Sequence, residues 1–217
     1  MNTDWIQQTE SFLLDSFDTS RYLSSHPDAK AYRLEHTYRV ANIGRQIAKA
    51  EGFDVTEMVI ACLLHDVAYG IDFEGQRDWF DHGRTGARIA RPFLEDLGLP
   101  EDRIRDICYG IAIHVDDVAD FDGERTLFAL TISDADNIDR FDVCRLYENL
   151  QNEDFGKLSL SVKLNYVEEK LFRLHELRKL PFATRTAKKL WEANIDFYVQ
   201  YYEKLCEQLL HSDRIFL

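Results

Sequence analysis

The stretch Met58-Val-Ile-Ala-Cys-Leu-Leu-His-Asp66 decides the fold class of this 217-residue chain. Seven apolar residues in a row are typical of a helix that is buried on every side. The ionisable pair His65-Asp66 follows them directly, and an unpaired carboxylate in a low-dielectric interior costs several kcal/mol. The stretch therefore predicts a central buried helix over residues 55–69, ended by Gly70, that carries a charged site.

Helical periodicity continues on both sides of this stretch. Apolar residues recur at helical spacing in segments 34–51, 83–97, 104–111, 126–139, 160–174 and 190–209. Residues 72–81 and 152–156 are polar and predict loops. Pro181 ends one helix, and Thr184 is the predicted N-cap of a long last helix. Because no strand alternation is visible, the chain is predicted to be all-α, with eight or nine helices.

Composition and charge restrict the possible partners. The chain is 45% hydrophobic and 12% aromatic, which is too apolar for a disordered protein. Its 39 acidic side chains outnumber 26 basic ones, giving a net charge of −13. A field of that sign repels phosphate backbones and anionic lipids, so we expect neither a nucleic-acid polymer nor a membrane as partner. A small anionic substrate requires positive charge supplied locally.

The compartment follows from what the sequence lacks. The first residues show no basic or apolar region of a signal peptide, and the longest apolar run is far shorter than the ~20 residues of a membrane span. The four cysteines are widely spaced without a CxxC pair, so neither a disulfide framework nor a zinc knuckle is predicted. We expect a cytoplasmic protein, and no feature favours a particular oligomeric state.

Polar residues in apolar surroundings are the candidates for chemistry. They are His36, His65, Asp66, His82, His114, Asp134 and Asp136. One histidine on an apolar face is more often a hydrogen-bonded core residue, but the whole set is hard to explain without a cation that neutralises the carboxylates. Imidazole and carboxylate donors without thiolate suit Fe, Mn, Zn, Ni or Co. These residues offer more donor atoms than the four that one tetrahedral ion binds. Two divalent ions bridged by an aspartate are therefore predicted.

The order of these residues resembles the HD-domain metal-dependent phosphohydrolases. His36, His65-Asp66 and Asp136 resemble the family's H…HD…D signature, and His82 and His114 resemble the H…HD…H…H…D subset that holds two metals. The segment 166–210 is similar to the C-terminal region of YedJ-like bacterial HD hydrolases. The resemblance implies a single HD domain over residues 1–217, a helical bundle with its metal-binding core at about 34–142 and a C-terminal two-helix extension at about 151–217.

The resemblance also implies roles for the candidate ligands. One metal would be held by His36, His65, Asp66 and Asp136, and the second by His82 and His114, with Asp66 as the bridge. The catalytic residues would be His65, Asp66 and Asp136. Asp134 remains an alternative ligand, since periodicity does not separate it from Asp136.

One departure from the family concerns the substrate. Many relatives carry a lysine soon after the HD pair, whereas this chain reads Val67-Ala-Tyr-Gly70. Binding of the substrate phosphate would then fall to Arg84 and Arg39, although each fits an ordinary solvated helix position equally well.

The leading functional hypothesis is a metal-dependent phosphohydrolase. It would cleave a phosphoester or phosphoanhydride of a small nucleotide-like substrate with metal-activated water. A di-iron oxygenase with the same ligands is one alternative, distinguished by its metal and by oxygen consumption. A non-catalytic HD module that binds a nucleotide is another, and intact ligands at all six positions count against it.

Overall fold

The computed structural model describes residues 3–213, in which ten α-helices and two short 3-10 helices occur and no β-strand. The all-α prediction is therefore confirmed. The α-helices are α1 (Thr3–Thr19), α2 (Arg21–Ser25), α3 (Pro27–Glu51), α4 (Val55–Leu64), α5 (Gln76–Asp96), α6 (Glu101–Ile113), α7 (Leu127–Asp139), α8 (Val143–Asn152), α9 (Leu160–Leu177) and α10 (Arg185–Leu210). The 3-10 helices span Val67–Gly70 and Phe155–Lys157.

The chain divides into two compact units, the first ending at Asp139 and the second beginning at Arg140. In the first unit α4 is the central element, since eight of its ten residues are buried and it packs against α1, α3, α6 and α7. Within the described residues, no helix combines the length and the apolar character that crossing a membrane requires.

The predicted helix over residues 55–69 is interrupted in the structure. Asp54 caps α4 by accepting a hydrogen bond from the Glu57 N–H, and the α-helix ends at Leu64. The His65 ring then bonds the Cys62 carbonyl at 2.7 Å, taking an acceptor of the last turn. The chain continues as the 3-10 helix Val67–Gly70. This break leaves His65 and Asp66 at the end of the buried helix.

The predicted loop over residues 72–81 is partly wrong, because α5 already begins at Gln76. The first turns of α5 are largely exposed, so they carry no apolar stripe from which the helix could be predicted. Asp78 in the first turn stabilises the N-terminus of the helix. His82 consequently lies inside α5 rather than before it. Similarly, α3 begins at Pro27, seven residues before the predicted start, with proline at its first position.

In the C-terminal unit, α9 and α10 match the two predicted helical segments, whereas α8 was not predicted. Thr184 caps α10, accepting a hydrogen bond from the Ala187 N–H at 3.1 Å. The Trp191 indole donates to the Leu177 carbonyl at 3.0 Å, which joins α10 to the end of α9. Both helices lie within the segment 151–217, and the role of that segment as an extension of one HD domain stays a prediction.

Candidate metal centre

Five elements of the first unit bring the six predicted ligands together. His36 lies in α3, His82 in α5 and Asp136 in α7, while His65-Asp66 follow α4 and His114 follows α6. All six are buried except His82, whose side chain is 12% exposed. Since each residue ends or interrupts an apolar helix face, packing of α3, α6 and α7 against α4, and of α5 against α6, places their polar atoms at one point.

One group of donors forms around His36 and His65. Their Nε2 atoms lie 3.3 Å apart, and each lies 3.7 Å from Oδ2 of Asp66. Asp136 extends this group, with its Oδ1 3.2 Å from Nε2 of His36. The four residues are those predicted to hold one ion.

A second group forms around His82 and His114. Their Nε2 atoms lie 3.2 Å apart, and Oδ1 of Asp66 lies 3.2 Å from the first and 3.6 Å from the second. The two carboxylate oxygens of Asp66 thus face opposite histidine pairs. Asp66 can therefore supply one oxygen to each group, which is the arrangement of a bridging carboxylate.

The hydrogen bond at Nδ1 of each histidine determines whether Nε2 of the neutral ring carries a proton or a lone pair. Nδ1 of His65, His82 and His114 lies 2.5–2.7 Å from the backbone carbonyl three residues earlier. Nδ1 of His36 lies 2.7 Å from Oδ2 of Asp139. A carbonyl can only accept, so Nδ1 carries the proton and Nε2 of a neutral ring carries a lone pair. In each pair, two acceptors face one another.

This arrangement suits metal ions. While the rings are neutral, two facing lone pairs at 3.2–3.3 Å repel each other, whereas a proton on one Nε2 of a pair allows a hydrogen bond. Two imidazole nitrogens on one ion, at about 2.0–2.1 Å from it, lie about 3.0–3.4 Å apart, which agrees with both pairs. The donor set of nitrogen and carboxylate oxygen also suits first-row transition ions. The described residues thus contain two groups that could each hold a metal ion, with Asp66 shared.

Burial and charge act in opposite directions on the protonation of this cluster. Burial lowers the pKa of His65 to about 4, so its ring is neutral and able to act as a ligand. Burial also disfavours charge on His36, but hydrogen bonds to Asp136 and Asp139 outweigh it and raise the pKa of His36 to about 9. The neighbouring histidines hold the pKa of Asp66 well below its usual value despite its burial. Either a proton on His36 or a bound cation can neutralise part of the negative charge of these buried carboxylates.

Asp139 and Arg39 form an ion pair next to His36 that the sequence did not lead us to predict. Asp139 is 2% exposed and accepts from Nδ1 of His36. It also accepts from the Arg39 guanidinium, whose Nε lies 2.6 Å from Oδ1. The Asp139 carboxylate thus fixes the tautomer and orientation of His36. The signal for it was present, because Asp139 lies one helical turn after Asp136 on α7.

Both predicted substrate-binding arginines are held by carboxylates. Arg39 pairs with Asp139, and Arg84 pairs with Asp81 and Asp116 at 2.5 and 2.8 Å. Their role in binding substrate stays a prediction. Neither Asp134 nor Asp136 belongs to the two compact ligand groups among the described residues, but Asp136 differs from Asp134 in lying 3.2 Å from Nε2 of His36 through its Oδ1.

Arg33 is a further residue that the sequence reasoning missed. Its Nη1 lies 3.2 Å from Oδ2 of Asp66, and its guanidinium carbon lies 3.6 Å above the Tyr69 ring. Arg33 precedes His36 by one helical turn, so its position in α3 was the available signal. It brings a positive charge to the bridging carboxylate.

An aromatic cavity of about 350 Å³ adjoins the centre. Its lining includes Tyr32, Arg33, Tyr69, Phe73 and Trp79, and most of the exposed lining is apolar. The Tyr69 ring lies 5.6 Å from that of Trp79 and 5.3 Å from that of His82. Tyr69 and Arg33 therefore connect the cavity with the ligand groups.

Comparison with known proteins is consistent with this geometry. Residues 33–140 match the family model described as HD domain. Ribonuclease Y of Mycoplasma mycoides is 43% identical over 63 residues, which are 29% of this chain and 14% of that protein. Ribonuclease Y of Mycoplasma capricolum subsp. capricolum is 41% identical over 63 residues, 12% of its length. The chain thus matches only a small part of these curated relatives.

A solved structure resembles nearly the whole chain. The crystal structure of a predicted HD superfamily hydrolase from an uncultured Thermotogales bacterium superposes with a TM-score of 0.64. The superposition covers 93% of this chain and 91% of that chain, at 20% sequence identity. At that identity the likeness supports the fold alone.

Proposed function

This chain carries an HD domain at residues 33–140, as its motifs predict, and from that premise we propose that it is a metal-dependent phosphohydrolase. Its substrate is a phosphoester or phosphoanhydride of a small nucleotide-like molecule. One observation carries the proposal: two histidine pairs with facing Nε2 acceptors share the two oxygens of Asp66.

Each ligand has a defined task in this proposal. His36, His65 and Asp136 would hold one ion, His82 and His114 would hold the other, and Asp66 would be shared by both. Divalent ions at these positions supply a coordinated water of lowered pKa and polarise the phosphoryl oxygens. Water is the nucleophile, because the chain shows no activated serine, cysteine or lysine motif.

The surrounding residues bind and orient. Asp139 keeps Nε2 of His36 directed at the centre. Arg33 carries the positive charge that the acidic chain needs near an anionic substrate, and its contact with Asp66 supports a role next to a phosphoryl group bound at the centre. We propose Arg33, in addition to the predicted Arg84 and Arg39, as a phosphate-binding residue.

The aromatic cavity supports a nucleotide-like substrate. A volume of about 350 Å³ accommodates a planar base, and Tyr32, Tyr69 and Trp79 offer ring faces for stacking. Because Tyr69 contacts His82, a base in this cavity leaves its phosphate near the metal ligands. The partial similarity to ribonuclease Y is compatible with cleavage of a phosphodiester. The net charge of −13 favours a small substrate over an RNA polymer.

The test is a substrate screen with full-length protein and controlled metal content. We expect hydrolysis of nucleoside phosphates that is abolished by EDTA, restored by Mn²⁺ or a similar ion, and equal with and without oxygen. Asp136→Asn should reduce kcat at least 100-fold. Asp134→Asn removes a buried carboxylate two residues away in the same helix and serves as the matched control, with activity largely kept.

Three results would contradict the proposal. The first is hydrolysis that persists at full rate after complete removal of metal. The second is consumption of oxygen by an iron-loaded form that leaves every phosphorylated compound intact, which identifies an oxygenase. The third is cleavage of RNA alone, which refutes the small substrate while retaining the metal chemistry.

A further inference from the structure

The aromatic cavity beside the metal centre contains a carboxylate that neither ligand group uses. Among the described residues that line this cavity, Asp72 is the one acidic residue and Arg33 the one basic residue. Arg33 pairs with Asp66, whereas Asp72 is bonded to residues at the start of α2. The Asp72 side chain is 27% exposed, and most of the exposed lining around it is apolar. A molecule in the cavity therefore meets one anionic group there.

The two oxygens of the Asp72 carboxylate have different hydrogen-bond partners. Oδ1 accepts from the hydroxyl of the buried Ser20 at 3.1 Å and from the Tyr22 N–H at 3.0 Å. A carboxylate oxygen offers about two lone-pair sites, so these donors use Oδ1 fully. Within residues 3–213, Oδ2 accepts only from Nε of Arg21, at 2.6 Å. Oδ2 thus keeps one acceptor site.

Oδ2 can accept from a ligand without loss of the structure around it. The Ser20 and Tyr22 donors hold the carboxylate through Oδ1, and the Arg21 side chain that pairs with Oδ2 is 91% exposed. An ion pair with so exposed a partner contributes little to stability. The Tyr22 N–H and the Arg21 guanidinium hold the pKa of Asp72 at about 2, so the group is ionised at neutral pH. An ionised carboxylate accepts hydrogen bonds and cannot donate them.

We propose that Asp72 makes this cavity selective for a purine base that carries an exocyclic amino group. The inference rests on the proposed function, which makes a nucleotide-like molecule the ligand. The amino group donates to Oδ2, and a hydrogen bond to an ionised acceptor is stronger than one between neutral groups. An analogue without the amino group leaves this acceptor unused in a mainly apolar lining. The rings of Tyr32, Tyr69 and Trp79 offer more stacking area to a two-ring purine than to a one-ring pyrimidine.

The test uses nucleosides, which carry no phosphate, so that the measurement does not depend on hydrolysis. Adenosine and purine riboside differ only in an amino group, as do guanosine and inosine. Isothermal titration of the full-length protein should show that the amino-bearing member of at least one pair binds about 10-fold more tightly than its partner, or better. One such preference is sufficient, because a single carboxylate contacts one position of the purine ring.

Asp72→Asn tests the role of the carboxylate at unchanged shape. The amide oxygen can still accept from Ser20 and Tyr22, which directs the NH₂ group to the position of Oδ2. Because this group donates and cannot accept, affinity for the preferred nucleoside should fall about 10-fold, while affinity for its partner should not fall. Glu74→Gln is the matched control, since it removes an exposed carboxylate of the same loop outside the cavity lining and should keep the preference.

The outcomes separate this inference from the proposed function. Equal affinity within both nucleoside pairs would overturn the selectivity, as would a preference that Asp72→Asn retains or a complete absence of nucleoside binding. Equal weakening of both members of a pair in Asp72→Asn would also overturn it, because that result indicates a structural role. None of these results bears on hydrolysis of phosphorylated compounds. Amino-selective binding by a protein that hydrolyses none of them would refute the proposed function alone.

Discussion

At the scale of single residues, the position of the Nδ1 proton determines what the histidines can do. His65, His82 and His114 each bond the backbone carbonyl three residues earlier, so the local turn fixes the ring tautomer. His36 uses the Asp139 carboxylate in the same role. In their neutral forms the four rings therefore direct Nε2 at the centre, which makes the site preorganised for a metal ion that displaces the proton from His36.

Asp139→Asn tests this orienting role. The amide oxygen can still accept from His36, but the negative charge that favours the Nδ1–H tautomer and pairs with Arg39 is lost. We expect metal affinity to fall 10–100-fold with helical content retained, as measured by chelator competition and circular dichroism. Glu35→Gln is the control, since Glu35 approaches Arg39 at 4.0 Å but is exposed. Unchanged affinity in Asp139→Asn would show that Asp139 does not support the site.

At the scale of elements, close approach of α5 and α6 brings the second histidine pair together. A Cβ atom on Gly83 would lie 2.7 Å from the Ala112 carbonyl oxygen and 2.9 Å from that of Ile111. The Ile111 carbonyl is also the acceptor for His114. A glycine beside His82 is therefore needed for α5 to reach the end of α6.

Gly83→Ala should consequently impair one ion site more than the other. Backbone oxygens cannot yield as a flexible side chain would, so we expect a loss of about 1–3 kcal/mol in the free energy of unfolding. His82 and His114 should separate, and the metal content should fall toward one ion per chain, as shown by elemental analysis. Gly75→Ala is the matched control at the start of α5, where a Cβ meets nothing within 4 Å. Full occupancy of both sites in Gly83→Ala would refute this explanation.

At the scale of the whole molecule, the sequence predicts the helical class and the ligand set because both depend on local pattern. Apolar stripes define the helices, and polar residues that interrupt them mark the centre. The early start of α5 escaped prediction because its first turns are solvent-exposed and lack a stripe. Asp139 lies one helical turn after Asp136, but only the packing of α3 against α7 brings it to His36, and the cavity beside Tyr69 likewise arises from packing.

The central claim is that Asp66 bridges two metal ions, and the metal content of purified variants tests it most directly. Elemental analysis of protein prepared without chelator should give up to two transition ions per chain. His82→Ala should bind about one ion, since it removes a ligand of one group only, whereas Asp66→Ala should weaken both sites because each loses an oxygen. Asp66→Ala protein that folds and retains the full wild-type metal content would contradict the bridge, and wild-type protein that takes up no metal on reconstitution would contradict the metal centre itself.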